Sequence, residues 1–159
     1  MKRMIAAALL LAALLTLAAC GKKEAAGTLD TAQAQQDIAA LGVYPESMLT
    51  LDAETLSAVY GIPADKLQDQ LCVVPMMNVH ASAYWLLLPE SGEEGAVRAA
   101  LDKYLEGYQA SWDQYLPEQA ELVRGRLETT LETAEGTWLV CIISGDNDAV
   151  FSAVQGAVK

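Results

Sequence analysis

Two stretches of this chain begin alike and stay in step for seventeen residues. WLLLPESGEEGAVRAAL starts at Trp85 and WLVCIISGDNDAVFSAV at Trp138, a constant offset of 53. Without a gap, Trp85 meets Trp138, Leu86 meets Leu139, Ser91 meets Ser144 and Gly92 meets Gly145. Ala96, Val97 and Ala100 then meet Ala149, Val150 and Ala153. Each copy reads as an apolar strand, a Ser-Gly-acidic junction suited to a tight turn and a capped start, and a helix. Extending backwards pairs Ala81 with Ala134 and gives each copy an opening strand, from Leu71 to Val79 and from Leu127. The pattern predicts one α+β domain: a four-stranded, mainly antiparallel sheet from two ββα halves, with helices packed on it. Amphipathic segments converge on such patterns easily, so chance similarity is the competing reading.

Ahead of the sheet lies an N-terminal helical region. In LDTAQAQQDIAALG, Asp30 or Thr31 caps a helix with Ala34, Ile38 and Leu41 on one face, and Gly42 stops it. In LDAETLSAVYG, Asp52 is the cap, Leu51 and Leu56 have hydrophobic-staple spacing, and Gly61 ends the helix. Residues 43–48, VYPESM, read as a loop, and Pro63 opens a short helix reaching Leu67. Between Gly95 and Leu116 apolar and aromatic residues recur at helical spacing, and Pro117 opens a further helix stopping near Gly125. Leu127 and Leu131 alternate with Glu128 and Glu132, the mark of a half-exposed strand. Asp146 to Val158 closes as a helix.

The N-terminus fixes the compartment expected of the chain. MKRMIAAALLLAALLTLAAC has a basic start, an apolar run from Met4 to Leu17 and small residues before Cys20. This is the layout of a secretory signal, too short and wrongly flanked for an ordinary spanning helix. Leu17-Ala18-Ala19-Cys20 resembles the bacterial lipobox, which implies lipid on the Cys20 thiol and cleavage just before it. Residues 1–19 are then signal, 20–28 a lipidated cysteine and tether, and 29–159 a single domain, held at the outer face of the cell membrane. Lys2 and Arg3 leave with the signal, so eight cations face twenty-one acids, a net charge of −13. Such a body repels phosphate backbones and anionic lipid, which argues against nucleic acid as a partner. Lys22 and Lys23, beside the lipid, are the local exception.

Candidate chemistry is sparse. Cys72 and Cys141 lie in apolar runs, and although export permits a disulfide, buried free thiols are the simpler expectation. His80 is the single histidine; it has no second histidine or cysteine at ligand spacing, so no metal or cofactor is expected. There is no Gly-x-Ser-x-Gly, no HExxH and no phosphate loop, and no residue stands out as catalytic. Asp146, Asn147 and Asp148 lack the further oxygen ligands of a calcium loop, and helix capping explains them. What remains is a stretch of unusual content, Met76-Met77-Asn78-Val79-His80, at the edge of the first copy. If the strand persists, Asn78 and His80 share a side as a polar binding pair, with Met76 and Met77 beside them. Tyr104, Tyr108, Trp112 and Tyr115 form a helical stripe suited to core packing or to an interface.

Tyr44-Pro45-Glu46-Ser47-Met48, Tyr60-Gly61-Ile62, Met76-Met77-Asn78-Val79-His80-Ala81 and Tyr115-Leu116-Pro117-Glu118-Gln119, in this order and spacing, carry a family resemblance. The chain from about Leu29 to its end resembles a family of uncharacterised lipoproteins of Gram-positive bacteria, known only as a domain of unknown function (family 4358). The resemblance implies a secreted, anchored α+β domain and no assigned activity. The expected role is a non-catalytic binding module for an envelope protein or small ligand. An envelope-acting hydrolase and an accessory subunit of an export or transport system are the alternatives.

Overall fold

The computed structural model describes residues 27–159, so the signal, Cys20 and the tether up to Ala26 lie outside the described residues. Among the described residues ten elements follow one another: α1 (Thr31–Ala40), β1 (Met48–Thr50), α2 (Ala53–Tyr60), β2 (Leu67–Pro75), β3 (Ala83–Pro89), α3 (Glu94–Asp113), α4 (Pro117–Arg124), β4 (Leu127–Thr133), β5 (Gly136–Ile143) and α5 (Asn147–Gly156). A single 3-10 turn, Ala64–Lys66, leads into β2. No helix among the described residues is long and apolar enough to cross a membrane.

The caps form where short side chains can satisfy free N–H groups. Asp30 accepts from the Gln33 N–H, Asp52 from Thr55 and Asp146 from Ala149. Gly61 closes α2 with a positive φ of 68°, and Pro117 sits in the first turn of α4. Leu51 and Leu56 are both buried, as a staple requires.

The sheet has five strands in the order β1-β2-β3-β5-β4, all pairs antiparallel. The expectation of four strands missed β1, whose three residues pair Met48 with Pro75 and Thr50 with Val73. So short a strand has no periodicity of its own and exists only through its partner. β3 is buried along its whole length, because helices cover both faces. On one face α2, α3 and α4 pack Leu56, Val97, Leu101, Leu105 and Val123 over Cys72, Trp85 and Cys141. On the other, α1 and α5 pack Ile38, Val150 and Val154 over Leu86, Trp138 and Ile142.

The offset of 53 holds for β3 against β5, since Ala83 meets Gly136, and for the helix starts, Glu94 against Asn147. It fails for the opening strands. Leu131 faces Trp138, so the offset would set Asn78 opposite Trp85; Cys72, six residues earlier, stands there instead. Ala134 and Glu135 alone turn β4 into β5, whereas the seven residues Met76–Ser82 join β2 to β3. The two halves also fail to superpose. β3 and β5 are antiparallel neighbours, so a rotation exchanging them runs along the sheet normal and keeps each face on itself. Yet α3 and α5 lie on opposite faces. The repeat is one of sequence pattern and element order, not of three-dimensional structure.

Cys72 and Cys141 flank Trp85 across β3, two strand spacings or about 10 Å apart, beyond the ~7 Å reach of a disulfide. Both are free, fully buried, and their pKa values are pushed up by burial. The soluble chain from Gly21 is therefore expected to resist iodoacetamide at about pH 8 and to take up two labels only on unfolding. Mass spectrometry counts the labels, and native labelling would contradict this core.

A short strap ties the ends together. Thr28 donates its N–H to the Lys159 carbonyl at 2.7 Å, and Lys159 returns the bond to Thr28 at 3.0 Å. Ala134, in the β4–β5 turn, donates to the Gly27 carbonyl at 2.7 Å. Gly27 has a φ of 66°, and a Cβ there would fall 1.7 Å from the Lys159 carbonyl oxygen, so only glycine fits. The Lys159 ammonium bonds the Asp30 carboxylate, holding its pKa below the ordinary value. Among the described residues, Gly27 and Thr28 thus already take part in the fold.

Candidate functional site

β2 ends at Pro75, so the expected strand through Val79 does not form and Asn78 and His80 do not share one side. Residues Met76–Ser82 instead make a loop at one end of the sheet, held at three points. The Met76 N–H donates to the Ser47 carbonyl at 3.0 Å, and the Ala81 N–H donates to Gln119 Oε1 at 2.8 Å. Tyr108 Oη donates to the Ala81 carbonyl at 3.2 Å. Ala81 is fully buried, which makes both of its backbone bonds costly to lose.

The loop separates the four expected residues. Met77 and His80 line an open cleft of about 490 Å³, whose other walls are Val43, Pro45, Glu46 and Ser47 on one side and Ser82 and Gln119 on the other. Asn78 faces a second hollow, of similar size, made by Tyr108, Ser111, Trp112 and Tyr115. Met76 stands out at 67% exposure, with Met77 at 54%, Val79 at 40% and Tyr115 at 57%. This end of the domain, the tip, therefore joins a polar cleft to an exposed apolar rim.

The aromatic stripe links the core to this rim. Tyr60 and Trp85 meet Tyr104 at ring distances of 5.1 and 5.6 Å. Tyr104 stacks on Tyr108, Trp112 meets Tyr108 edge-on, and Tyr115 follows at 5.9 Å from Trp112. Trp112 is buried, Tyr104 and Tyr108 are half-buried, and Tyr115 is exposed. The stripe is core at one end and surface at the other.

His80 and Glu46 bring an imidazole and a carboxylate into one cleft with Ser47 and Ser82. Among the described residues no hydrogen bond joins the His80 ring to either serine or to Glu46, so no base is aligned on a nucleophile. Asp146 and Asn147 work as helix-start groups: Asn147 Oδ1 accepts from the Ser144 N–H and hydroxyl, and its Nδ2 donates to the Gly125 carbonyl.

Glu46, Ser47 and Gln119 were not singled out as site residues, and Tyr115 entered only as part of the aromatic stripe. Gln119 reaches Ala81 across 38 positions, and no local pattern announces such a contact. One signal was present: three of the four segments carrying the family resemblance, around Glu46, His80 and Gln119, are the ones that wall this cleft.

Comparison with known proteins finds no matching curated protein and no matching solved structure. One family does match, over residues 42–133, from the end of α1 through β4. That span is narrower than the resemblance suggested, since it leaves out α1, β5 and α5, but it includes every residue of the cleft and covers more than half of the chain. The chain belongs to the family described as Domain of unknown function (DUF4358).

Proposed function

We propose that the protein is a lipoprotein anchored through Cys20 at the outer face of the cell membrane, and that its folded domain is a non-catalytic binding module engaging an envelope protein or small ligand at the tip. The observation that carries this reading is the convergence of three distant segments on one cleft, beside apolar side chains left exposed at the same end. Exposed methionine and tyrosine surface has no folding role to justify it, and such surface is where partners are held.

The test has two arms. The full chain is expected to take up a labelled fatty acid that its Cys20→Ala variant does not, and equal labelling of the two would sink the anchored reading. The soluble chain from Gly21 is expected to capture a partner from solubilised envelope that the Asn78→Ala, His80→Ala double variant does not hold. Equal capture by both versions would move the site away from the loop.

An envelope hydrolase is the second reading, favoured by the meeting of His80, Glu46 and two serines in one cleft. It requires the ring to swing onto a serine when substrate arrives. Turnover of envelope material by the soluble chain, abolished by His80→Ala, would replace the binding reading with this one.

A further inference from the structure

The strap and the tip lie at opposite ends of the sheet. Gly27 is bonded at the β4–β5 turn, where β5 begins, while the Met76–Ser82 loop sits beside Ile143, where β5 ends. β5 has eight residues, so about 25 Å of sheet separates the two ends. From Cys20, the chain up to Ala26 reaches at most ~25 Å, and it starts from the strap end. Bringing the tip to the bilayer would require the whole domain to fold back along its tether.

Charge gives the tip no pull towards the membrane either, since its cleft carries Glu46, with Glu118 beside Gln119. The strap end is acidic as well, with Asp65, Glu90, Glu93, Glu94, Glu132 and Glu135. Lys2, Arg3, Lys22, Lys23 and Glu24 lie outside the described residues, which leaves six cations against twenty acids, a net charge of −14. Five of those cations (Lys66, Arg98, Arg124, Arg126 and Lys159) are in ion pairs with the domain's own carboxylates. Glu46, in the cleft, has no ion pair among the described residues, and Glu118 beside Gln119 has none. An anionic membrane and a second copy of this chain are both repelled by such a body.

We propose that the tip docks a segment of a partner protein that combines apolar side chains with a cation, and that it does so facing away from the membrane. The apolar side chains lie on Met76, Met77, Val79 and Tyr115, and the cation enters the cleft to pair with Glu46, its aliphatic stem along Met77. This inference rests on the anchored binding-module reading and adds to it the occupant and the direction of approach.

The experiment uses the soluble chain from Gly21, which holds every described element, and labelled peptides of about ten residues alternating Lys with Leu. Matched peptides alternate Glu with Leu, or Lys with Ser. The Lys/Leu peptide is expected to bind best and to weaken as salt rises from about 0.1 to about 0.5 M. Glu46→Lys is expected to weaken it about tenfold, and Met77→Ser about threefold. Glu132→Lys, an identical charge change at the strap end, is expected to leave binding within about twofold. Met76→Ser, at a more exposed position, replaces Met77→Ser if that variant disturbs the loop. Equal losses from Glu46→Lys and Glu132→Lys would reduce the effect to the general field of an acidic protein and overturn the proposal. So would equal binding of the Glu/Leu peptide. Tip-dependent binding of the soluble chain to vesicles with roughly 30% anionic lipid, or tip-dependent self-association, would put a different occupant there. If envelope capture by the loop survives both Glu46→Lys and high salt, the binding-module reading stands and this docking chemistry falls.

Discussion

Trp85→Ala is expected to cost about 3–5 kcal/mol, a large share of the ~5–15 kcal/mol typical of a domain. Trp85 is fully buried in the central strand, with Cys72 and Cys141 facing it from the strands on either side. Its ring also meets Tyr104 and Tyr108, at 5.6 and 6.3 Å. Truncation opens a cavity bounded by strands on both sides, which cannot collapse into it, and so the upper part of the range applies. Urea denaturation measures the loss as a lower midpoint. Trp85→Phe is expected to cost less than a third as much. The indole N–H has no partner among the described residues, so phenylalanine removes an unsatisfied donor while keeping most of the packing. If the two variants lost the same stability, the ring would not be the packing centre that the contacts describe.

The second large effect joins stability to the site. Gln119→Leu removes the acceptor for the buried Ala81 N–H and is expected to cost about 1–3 kcal/mol. It also frees the loop carrying Met77 and His80, so loop amides should exchange faster than the global stability loss alone explains. Gln119→Glu keeps a carboxylate oxygen where Oε1 sits and is expected to hold the loop nearly as well. Hydrogen exchange at Ala81, read on both variants, checks the pair. Equal protection in the leucine variant would mean that the loop is held from elsewhere.

How much of this was legible in the sequence follows from the range of each interaction. The caps at Asp30, Asp52 and Asp146 and the stop at Gly61 act within a few residues, and the text of the chain announces them. β4 was equally clear, because Leu127 and Leu131 against Glu128 and Glu132 encode an edge strand with one wet face. β2 was misplaced. Its start, Leu67-Gln68-Asp69-Gln70, is polar and Leu67 reads as the end of a short helix, yet Leu67 pairs with Pro89 and Gln68 Nε2 donates to the Pro89 carbonyl. Its end was drawn too far because Met76, Met77 and Val79 are apolar, and apolar residues were taken for strand where they are surface. The same ambiguity governs the site: Met77 and His80 were chosen for unusual content, and the cleft contains them. Glu46, Ser47 and Gln119 join them only through tertiary contacts, which spacing along the chain cannot show. The choice of face for α5 was also hidden, since a helix that follows a strand can fold over either side of it.

The bonds between Thr28 and Lys159 leave the described backbone nearly a closed ring. A peptide linker from Lys159 to Gly27 would span neighbours already joined by hydrogen bonds, so the chain is suited to circular permutation, with new ends opened in the exposed part of the Met76–Ser82 loop. The same adjacency governs fusions: anything appended after Lys159 emerges beside Thr28, whereas an insertion in the loop is carried at the far end of the sheet.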